Sequence, residues 1–264
     1  MTVDVAKLID TKTGLIYGDI YTSPEVYEQE LKEIWARSWV FIGHDSLLKK
    51  PGDFLQMYIG EDPIVVTRLK DGSISAWLNQ CRHRGMRICR ADRGNARNFM
   101  CSFHGWNYDL DGRLVNVPHE ETSYTADVFD KKEWGPRHLA QIHNYKGFIF
   151  GTWDPTAPPF EEYLGDFTWY FDAHIDRYEG GMEAVASHRW VIPCNWKFNV
   201  EQPSSDMYHA EVSHSSAVMV MAKTAALSQG MSLEEAGAPV ARNFAEAPGA
   251  QFSSPMGHGT GWFN

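Results

Sequence analysis

The sequence predicts an α+β protein in which an antiparallel β domain lies between helical flanks. Three observations support this prediction: a capped amphipathic helix near the start, short β-rich runs separated by turns in the centre, and mixed α and β patterns after Pro155. The chain has 264 residues, of which 43% are hydrophobic and 13% aromatic. This is the composition of a globular protein, and the length is sufficient for one large domain or two ordinary ones.

The first helix is predicted to begin at Ser23-Pro24-Glu25. Serine is a good N-cap, proline suits the first helical position, and an early acid interacts favourably with the helix dipole. One apolar face follows at positions i, i+4, i+7 and i+8, formed by Tyr27, Leu31, Ile34 and Trp35. We expect this helix to face the core.

The central β domain is predicted to run from Trp39 to about Asp154. The segments "PIVVTRL" and "SISAWLN" flank the turn "KDG", and "WNYDLDGRLVNV" turns at Asp111-Gly112, so both regions are typical of hairpins. The strand "GFIFGTW" closes the domain. Three regions result, with residues 1–38 and 156–264 on either side of residues 39–155.

The C-terminal region shows weaker patterns. The aromatic-rich segment "FEEYLGDFTWYFDAHI" is predicted to be a helix, and "SHRWVIPCNW" alternates like a strand. The segment from Ala236 to Met256 is rich in Gly, Ala, Pro and Ser, which is typical of a long loop, and no further helix or sheet is predicted after it.

The charge and the apolar runs exclude two classes of partner. The formal net charge is −10, and no run of Lys and Arg would neutralise a phosphate backbone, so nucleic acid is not a predicted partner. The N-terminus lacks an apolar signal segment, and runs such as "GFIFGTW" are too short to span a bilayer. We therefore expect a soluble, cytoplasmic protein that does not enter a membrane.

The first candidate metal site consists of Cys81, His83, Cys101 and His104, in the pattern Cys-x-His and then Cys-x-x-His. Two thiolates and two imidazoles suit one zinc ion, but zinc sites more often pair like ligands in each arm. One Cys and one His in each arm suit a two-iron cluster in which the thiolates bind one iron and the imidazoles bind the other. Cys89 and Cys194 lie outside the pattern. Cys89, which lies between the arms, is predicted to be a small buried hydrophobic residue with no redox role.

The motif "CRHRG…CSFHGW" resembles the cluster motif of the Rieske non-heme iron aromatic-ring-hydroxylating dioxygenases, in their large (alpha) subunit. The resemblance implies a Rieske [2Fe-2S] domain over residues 39–155. It also implies that residues 1–38 and 156–264 form the first part of an α+β, helix-grip-like catalytic domain.

The second candidate site lies in "DMYHAEVSH", which contains Asp206, His209 and His214. Histidines five residues apart diverge by about 140° on a straight helix, so the helix must end, bend or bulge between them if both bind one ion. Asp206 precedes His209 by three residues and shares its face. This geometry alone does not separate a metal site from two ordinary histidines.

The segment "NWKFNVEQPSSDMYHAEVSH" resembles the catalytic segment of the same family. The resemblance implies that His209 and His214 bind the catalytic Fe(II). It casts Asp206 as the acid that links a metal-bound histidine of one subunit to a cluster histidine of its neighbour. It also implies that the third iron ligand is a carboxylate from the later part of the catalytic domain, so we expect this ligand to be absent from the chain and the chain to be an N-terminal fragment.

Acids downstream of His214 do not supply an obvious replacement for that ligand. Glu234 and Glu235 have the character of helix-start residues, and Glu246 lies in the predicted loop. We therefore expect the chain as given to hold the cluster, to retain mononuclear iron poorly, and to be inactive alone.

The function implied by the resemblance is that of the terminal oxygenase component of a multicomponent dioxygenase. It would add both atoms of O₂ to an aromatic hydrocarbon and give a cis-dihydrodiol. Electrons from NADH would arrive through a ferredoxin, a reductase or both. The implied assembly is an alpha trimer, or an α3β3 complex with a small beta subunit. Two alternatives remain: a Rieske monooxygenase or demethylase, and a cluster-only electron-transfer protein.

Overall fold

The computed structural model describes residues 2–125, 129–205, 209–232 and 249–263. It confirms the α+β class, with antiparallel sheets and separate helices. The chain divides into two compact units: Met1–Glu162 with Ile175–Trp190, and Tyr163–His174 with Val191–Asn264. None of the helices in the described ranges has both the length and the apolar composition that a bilayer crossing requires.

The helices lie mainly outside the central β region. In chain order they are α1 (Asp19–Thr22), α2 (Pro24–Glu30), α3 (Glu120–Ser123), α4 (Phe160–Leu164), α5 (Phe167–Ile175), α6 (Trp196–Ser205), α7 (Ala210–Ser213) and α8 (Ser215–Ser228). Short 3₁₀ turns occupy Val5–Leu8, Asp45–Leu47 and Lys131–Glu133.

The predicted start of α2 is confirmed, because the Ser23 hydroxyl accepts a hydrogen bond from the Val26 amide at 3.3 Å. The predicted apolar face is only partly correct. A π-helical turn over Leu31–Trp35 adds a residue to the turn and rotates the positions after it, which leaves Ile34 exposed. Val26 is the apolar residue of α2 that becomes fully buried.

A four-stranded antiparallel sheet forms the middle layer of the first unit. Its strands are β4 (Asp53–Ile59), β5 (Asp62–Arg68), β6 (Ile74–Leu78) and β7 (Arg93–Asn95), in the order β6-β5-β4-β7. The β5–β6 pair confirms the predicted hairpin. Successive side chains of a strand point to opposite faces, and in β5 Val65 joins one core while Ile64 and Val66 join the other.

Two three-stranded antiparallel sheets also belong to the first unit. One contains β8 (Phe99–Met100), β9 (Asn107–Tyr108) and β10 (Leu114–Asn116), and its β9–β10 pair confirms the hairpin predicted around Gly112. The other contains β3 (Val40–His44), β11 (Gln141–Tyr145) and β12 (Phe148–Thr152). A two-stranded hairpin of β1 (Ile9–Asp10) and β2 (Leu15–Ile16) precedes them.

The chain from Phe160 onward departs from the sequence predictions at three points. The predicted helix over 160–175 is interrupted at Gly165, whose φ of +52° is left-handed, so α4 ends before α5 begins. The predicted strand over 187–196 is wrong: no strand of the described residues pairs with this segment, and Val191 is almost fully exposed. The loop predicted from Ala236 to Met256 contains a strand instead, because β13 (Gly249–Ser253) pairs with β14 (Gly259–Phe263).

Candidate metal centres

The two Cys-His arms are built as the same backbone turn made twice. In the first arm the Gly85 amide donates to the Cys81 carbonyl at 2.8 Å, and the Cys81 amide donates to the Met86 carbonyl at 2.8 Å. In the second arm the Gly105 amide donates to the Cys101 carbonyl at 2.9 Å, and the Cys101 amide donates to the carbonyl of the residue after the glycine at 2.8 Å. Each arm therefore presents its thiol and imidazole from an equivalent loop.

Both turns require glycine at the residue that closes them. Gly85 has a φ of +73° and Gly105 a φ of +72°, in the left-handed region that side chains rarely adopt. A Cβ at Gly105 would also lie 2.9 Å from the ring carbon Cγ of Pro118, whereas one at Gly85 would lie 3.3 Å from the flexible amide of Gln80. The second turn is therefore the more tightly enclosed of the two.

The structure brings the predicted cluster ligands together in two pairs, thiol beside thiol and imidazole beside imidazole. The Cys81 and Cys101 residues are 3% and 1% exposed, and the imidazoles of His83 and His104 lie 4.5 Å apart between ring centroids at 71°. Within the described residues, the buried Nδ1 atom of His83 has no hydrogen-bond partner. In the same part of the chain no three His, Cys, Asp or Glu side chains group around one metal-ion position.

The electrostatics of this site favour the protonation state that a metal ligand needs at His83 and oppose it at Cys81. Burial, followed by the nearby His104 and Arg84, lowers the pKa of His83 and keeps the imidazole neutral. Burial raises the pKa of the Cys81 thiol, the hydrogen bond from Tyr108 opposes that shift, and the neighbouring Cys101 thiol adds to it. A bound iron would have to offset this burial cost to hold Cys81 as a thiolate.

Two aromatic residues that the sequence motif did not assign contact the ligands directly. The Tyr108 hydroxyl lies 3.1 Å from Cys81 Sγ and accepts a hydrogen bond from the Arg82 amide at 3.3 Å. The Trp106 ring stacks on the His83 ring, with centroids 5.0 Å apart and an interplanar angle of 8°. Trp106 in turn packs edge-on against an aromatic group formed by Tyr124, Phe129 and Trp134.

Asn79 holds the segment that follows the first arm. Its side-chain Oδ1 accepts from the Ile88 amide at 3.1 Å and from the Cys89 amide at 2.8 Å, and its Nδ2 donates to the Cys89 carbonyl at 2.7 Å. Asn79 is fully buried. An asparagine that uses both its amide oxygen and its amide nitrogen in this way fixes the return path of the loop.

The two cysteines outside the motif have different surroundings from the cysteines of the paired arms. Cys89 is buried in the core, its Sγ donates to the Ala91 carbonyl at 3.4 Å, and burial raises the pKa of its thiol. Cys194 is exposed. Both positions therefore show packing or surface environments and no redox partner among the described residues.

Comparison with known proteins shows which proteins this chain resembles. The family model described as "Rieske [2Fe-2S] domain" matches residues 38–140. Over 263 residues the chain is 47% identical to the biphenyl 2,3-dioxygenase subunit alpha of Rhodococcus jostii (strain RHA1), covering 98% of this chain and 54% of that one. The chain carries a Rieske [2Fe-2S] domain and is homologous to dioxygenase alpha subunits.

Two further relatives agree with this assignment. Identity is 46% to the benzene 1,2-dioxygenase subunit alpha of Pseudomonas putida, covering 99% of this chain and 56% of the relative. A solved naphthalene 1,2-dioxygenase with indole in its active site superposes with a TM-score of 0.77 at 38% identity, covering 92% of this chain and 52% of that one. The chain spans about half the length of the curated relatives that it matches.

The residues of the Rieske domain fit a [2Fe-2S] cluster. Two thiols buried side by side and two neighbouring imidazoles supply the mixed ligand set that such a cluster takes. The buried and unpartnered Nδ1 of His83 is a donor atom that metal coordination would satisfy. The Tyr108 hydroxyl supplies a hydrogen bond to a ligand sulfur, which is a known means of tuning such clusters.

The second candidate centre lies in the second unit. The helix is interrupted between the two histidines, which their five-residue spacing requires if both bind one ion. His209 precedes α7 and His214 lies between α7 and α8, so the two imidazoles do not share one continuous helix. Their ring centroids are 5.0 Å apart. When two imidazoles bind one ion with a nitrogen–metal–nitrogen angle of 90° and metal–nitrogen distances of about 2.1 Å, their centroids lie about 4.5 Å apart. The observed separation of 5.0 Å is close to this value.

Gln202 is a polar neighbour that the structure adds to this pair. It lies in α6, which runs through Pro203 without ending there, and its Nε2 is 3.1 Å from Nε2 of His209. Asp206, the predicted link between the two centres, lies outside the described residues, as do the acids Glu234, Glu235 and Glu246. The described residues thus bring His209 and His214 together and supply no carboxylate for the pair.

Proposed function

We propose that the protein is the alpha subunit of the terminal oxygenase component of a multicomponent ring-hydroxylating dioxygenase. It would add both atoms of O₂ to an aromatic hydrocarbon to give a cis-dihydrodiol, using electrons from NADH. The observation that carries this proposal is the pair of equivalent Cys-His turns with buried thiols, in a chain homologous to biphenyl and benzene dioxygenase alpha subunits.

The roles proposed for the site residues follow their chemistry. Cys81 and Cys101 would hold one iron of the cluster, and His83 and His104 the other. His209 and His214 would hold the mononuclear Fe(II), with a carboxylate as third ligand, and the iron would supply O₂ binding beside the substrate. Asp206 would accept hydrogen bonds from a histidine of each centre and orient both.

The domain boundaries that support these roles are residues 39–155 for the Rieske domain and residues 1–38 with 156–264 for the catalytic domain. The proposed partners are a ferredoxin, a reductase or both, and a small beta subunit in an alpha trimer or α3β3 assembly. A cytoplasmic location fits the need for NADH. The proposed substrate is an apolar aromatic ring, because three relatives are named for biphenyl, benzene and naphthalene.

The first test measures the cluster. Purified protein should contain two iron atoms and two acid-labile sulfides per Rieske domain, and should show a rhombic electron paramagnetic resonance signal after reduction. The Cys101→Ser variant should lose both, because it removes a thiolate ligand, whereas the matched variant Cys89→Ser should keep both. A colourless protein that carries only zinc would contradict the proposal.

The second test measures the second centre and the product. This test uses an alpha subunit that also contains the expected carboxylate ligand. In it, His209→Ala should lower iron beyond the cluster, and His174→Ala, which changes an exposed histidine of the same unit, should not. With biphenyl, ¹⁸O₂, NADH and the electron-transfer proteins, the diol that it forms should contain two labelled oxygens from one O₂ molecule. A product with a single labelled oxygen would favour the monooxygenase alternative instead.

A further inference from the structure

The two imidazoles of the Rieske domain have unlike aromatic neighbours. The His83 ring lies nearly parallel to the Trp106 ring, with an interplanar angle of 8° and centroids 5.0 Å apart. The His104 ring is tilted by 38° from the ring of Phe103, the residue before it. Trp106 is 2% exposed and lies in the core, whereas Phe103 is 57% exposed. One imidazole therefore rests against the core, and the other has a surface side chain beside it.

Trp106 connects the two Cys-His turns. Its carbonyl accepts the hydrogen bond from the Cys101 amide in the second turn, and its indole stacks on His83 of the first turn. The equivalent position of the first turn is Met86, whose carbonyl accepts from the Cys81 amide. A methionine has no ring to place against an imidazole. The two turns therefore share a backbone design but differ in this side chain, and the ring contact crosses between them in one direction only.

The indole of Trp106 is itself held in place. Tyr124, Phe129 and Trp134 pack against it edge-on, with centroids 5.7 to 6.4 Å away and interplanar angles of 71° to 77°. Edge-to-face contacts of this kind are a preferred arrangement of aromatic pairs, and a closely packed interior resists a change of side-chain orientation. Trp106 therefore presents a fixed surface to the His83 ring.

A fixed surface matters for an imidazole that binds iron. The torsion that rotates a histidine ring about its own bond is broad, so another contact must set the plane of the ring. A hydrogen bond from a ring nitrogen often does this for metal ligands. At His83 the buried Nδ1 atom has no hydrogen-bond partner among the described residues. The parallel ring of Trp106 supplies the constraint on the plane.

The stack also has an electrostatic effect. An imidazole gives electron density to the iron that it binds and becomes partly positive, and this charge is larger when the cluster is oxidised. The face of an aromatic ring is negative, and tryptophan attracts cations more strongly than the other aromatic side chains do. Contact with Trp106 therefore stabilises the oxidised cluster more than the reduced cluster.

We propose that Trp106 is a positioning residue of the cluster: its indole sets the plane of the His83 ring and favours the oxidised state. The proposal rests on the proposed function, because it requires the cluster and the ligand role of His83. Trp106 donates no ligand atom and acts through His83. Loss of the indole should increase the equilibrium constant for reduction about two- to fivefold, which raises the potential of the one-electron couple by about 20–40 mV.

The test combines a spectroscopic measurement with a redox titration. ¹⁴N electron–nuclear double resonance on the reduced protein reports the coupling of each histidine nitrogen to the cluster spin. In Trp106→Leu one of the two couplings should change and the other should keep its wild-type value. A titration at constant pH and salt should show the rise in potential. Trp106→Phe keeps a smaller aromatic face, so it should retain the wild-type couplings and raise the potential by about half as much.

Trp134→Leu is the matched control. It removes an indole from the same aromatic group, and Trp134 contacts Trp106 and Phe129 but makes no ring contact with His83 in the described part of the chain. Its couplings and potential should stay close to those of the wild type. Iron and acid-labile sulfide are measured in every variant. If Trp106→Leu holds less cluster, Trp106→Phe decides alone, because a benzene ring attracts a cation less strongly than indole does.

The outcomes separate this inference from the proposed function. Wild-type protein without a cluster would overturn both. With intact clusters, unchanged couplings in Trp106→Leu, or a potential that does not rise in the Trp106 variants, would overturn the positioning role and leave the function standing. An equal change in Trp134→Leu would also overturn it, because the effect would then come from a general loosening of the aromatic group.

Discussion

The hydrogen bond between Tyr108 and Cys81 should raise the reduction potential of the cluster, and Tyr108→Phe tests this. The substitution removes one oxygen atom that lies 3.1 Å from Cys81 Sγ and leaves the ring in a fully buried site. Burial raises the pKa of Tyr108, so the hydroxyl stays protonated and remains a donor at working pH. The variant therefore removes the donor to Cys81 Sγ and the acceptor of the Arg82 amide, and it changes little of the packing.

The magnitude follows from the charge that reduction adds. A hydrogen bond to a charged group contributes about 1.5–3 kcal/mol, and it strengthens as the sulfur gains electron density. If the reduced state gains about 1.4 kcal/mol more than the oxidised state, the potential of this one-electron couple changes by about 59 mV. Loss of a bond that favours the reduced state lowers the potential, so we expect a decrease of about 30–60 mV.

The assay is a redox titration followed by visible circular dichroism. Tyr124→Phe is the control, because Tyr124 belongs to the aromatic group near Trp106 and no described hydrogen bond links its hydroxyl to a cluster ligand. Its potential should stay close to that of the wild type. An unchanged or higher potential in Tyr108→Phe, with the cluster content intact, would refute the reasoning.

Two further predictions concern the turns and the core. Gly105→Ala should lower cluster content, measured as iron per chain, more than Gly85→Ala, since both add about 1–2 kcal/mol of left-handed strain but only the first meets the Pro118 ring at 2.9 Å. Burial lowers the pKa of His44, so the unfolded chain binds more protons than the folded chain at acid pH. The free energy of unfolding in urea should therefore fall as the pH drops below about 6.5, and His44→Gln should make that fall shallower. Equal iron loss in the two glycine variants, or an unchanged slope in His44→Gln, would contradict these arguments.

The β domain was predictable because its signals are local. Period-two alternation around "KDG" and Asp111-Gly112 specifies hairpins whose partners are adjacent in sequence, and both formed. The strand predicted at "SHRWVIPCNW" failed for the opposite reason. Alternation gives a segment two faces, but a strand also needs a partner edge, and no described strand offers one there.

The approach of the two Cys-His arms was predictable from their spacing, but the residues around them were not. Trp106 and Tyr108 follow His104, the last ligand candidate of the second arm, by two and four residues. Their local sequence predicts a strand and gives no sign of a contact with the first arm. Their contacts with Cys81 and His83 of the first arm join positions more than 20 residues apart. Asn79 precedes the first arm and binds the backbone amide of Cys89, ten residues later in the chain. No short sequence motif predicts this contact.

Burial decides how strongly salt screens the groups that act on the cluster. The Tyr108 bond lies in the core, where neither water nor salt screens it, so its effect on the potential should persist at any ionic strength. The Arg84 guanidinium is exposed, so salt and water screen its influence on the neighbouring His83 imidazole. The decrease in potential in Tyr108→Phe should therefore be the same at low and at high salt, whereas the contribution of Arg84 should weaken as salt is added.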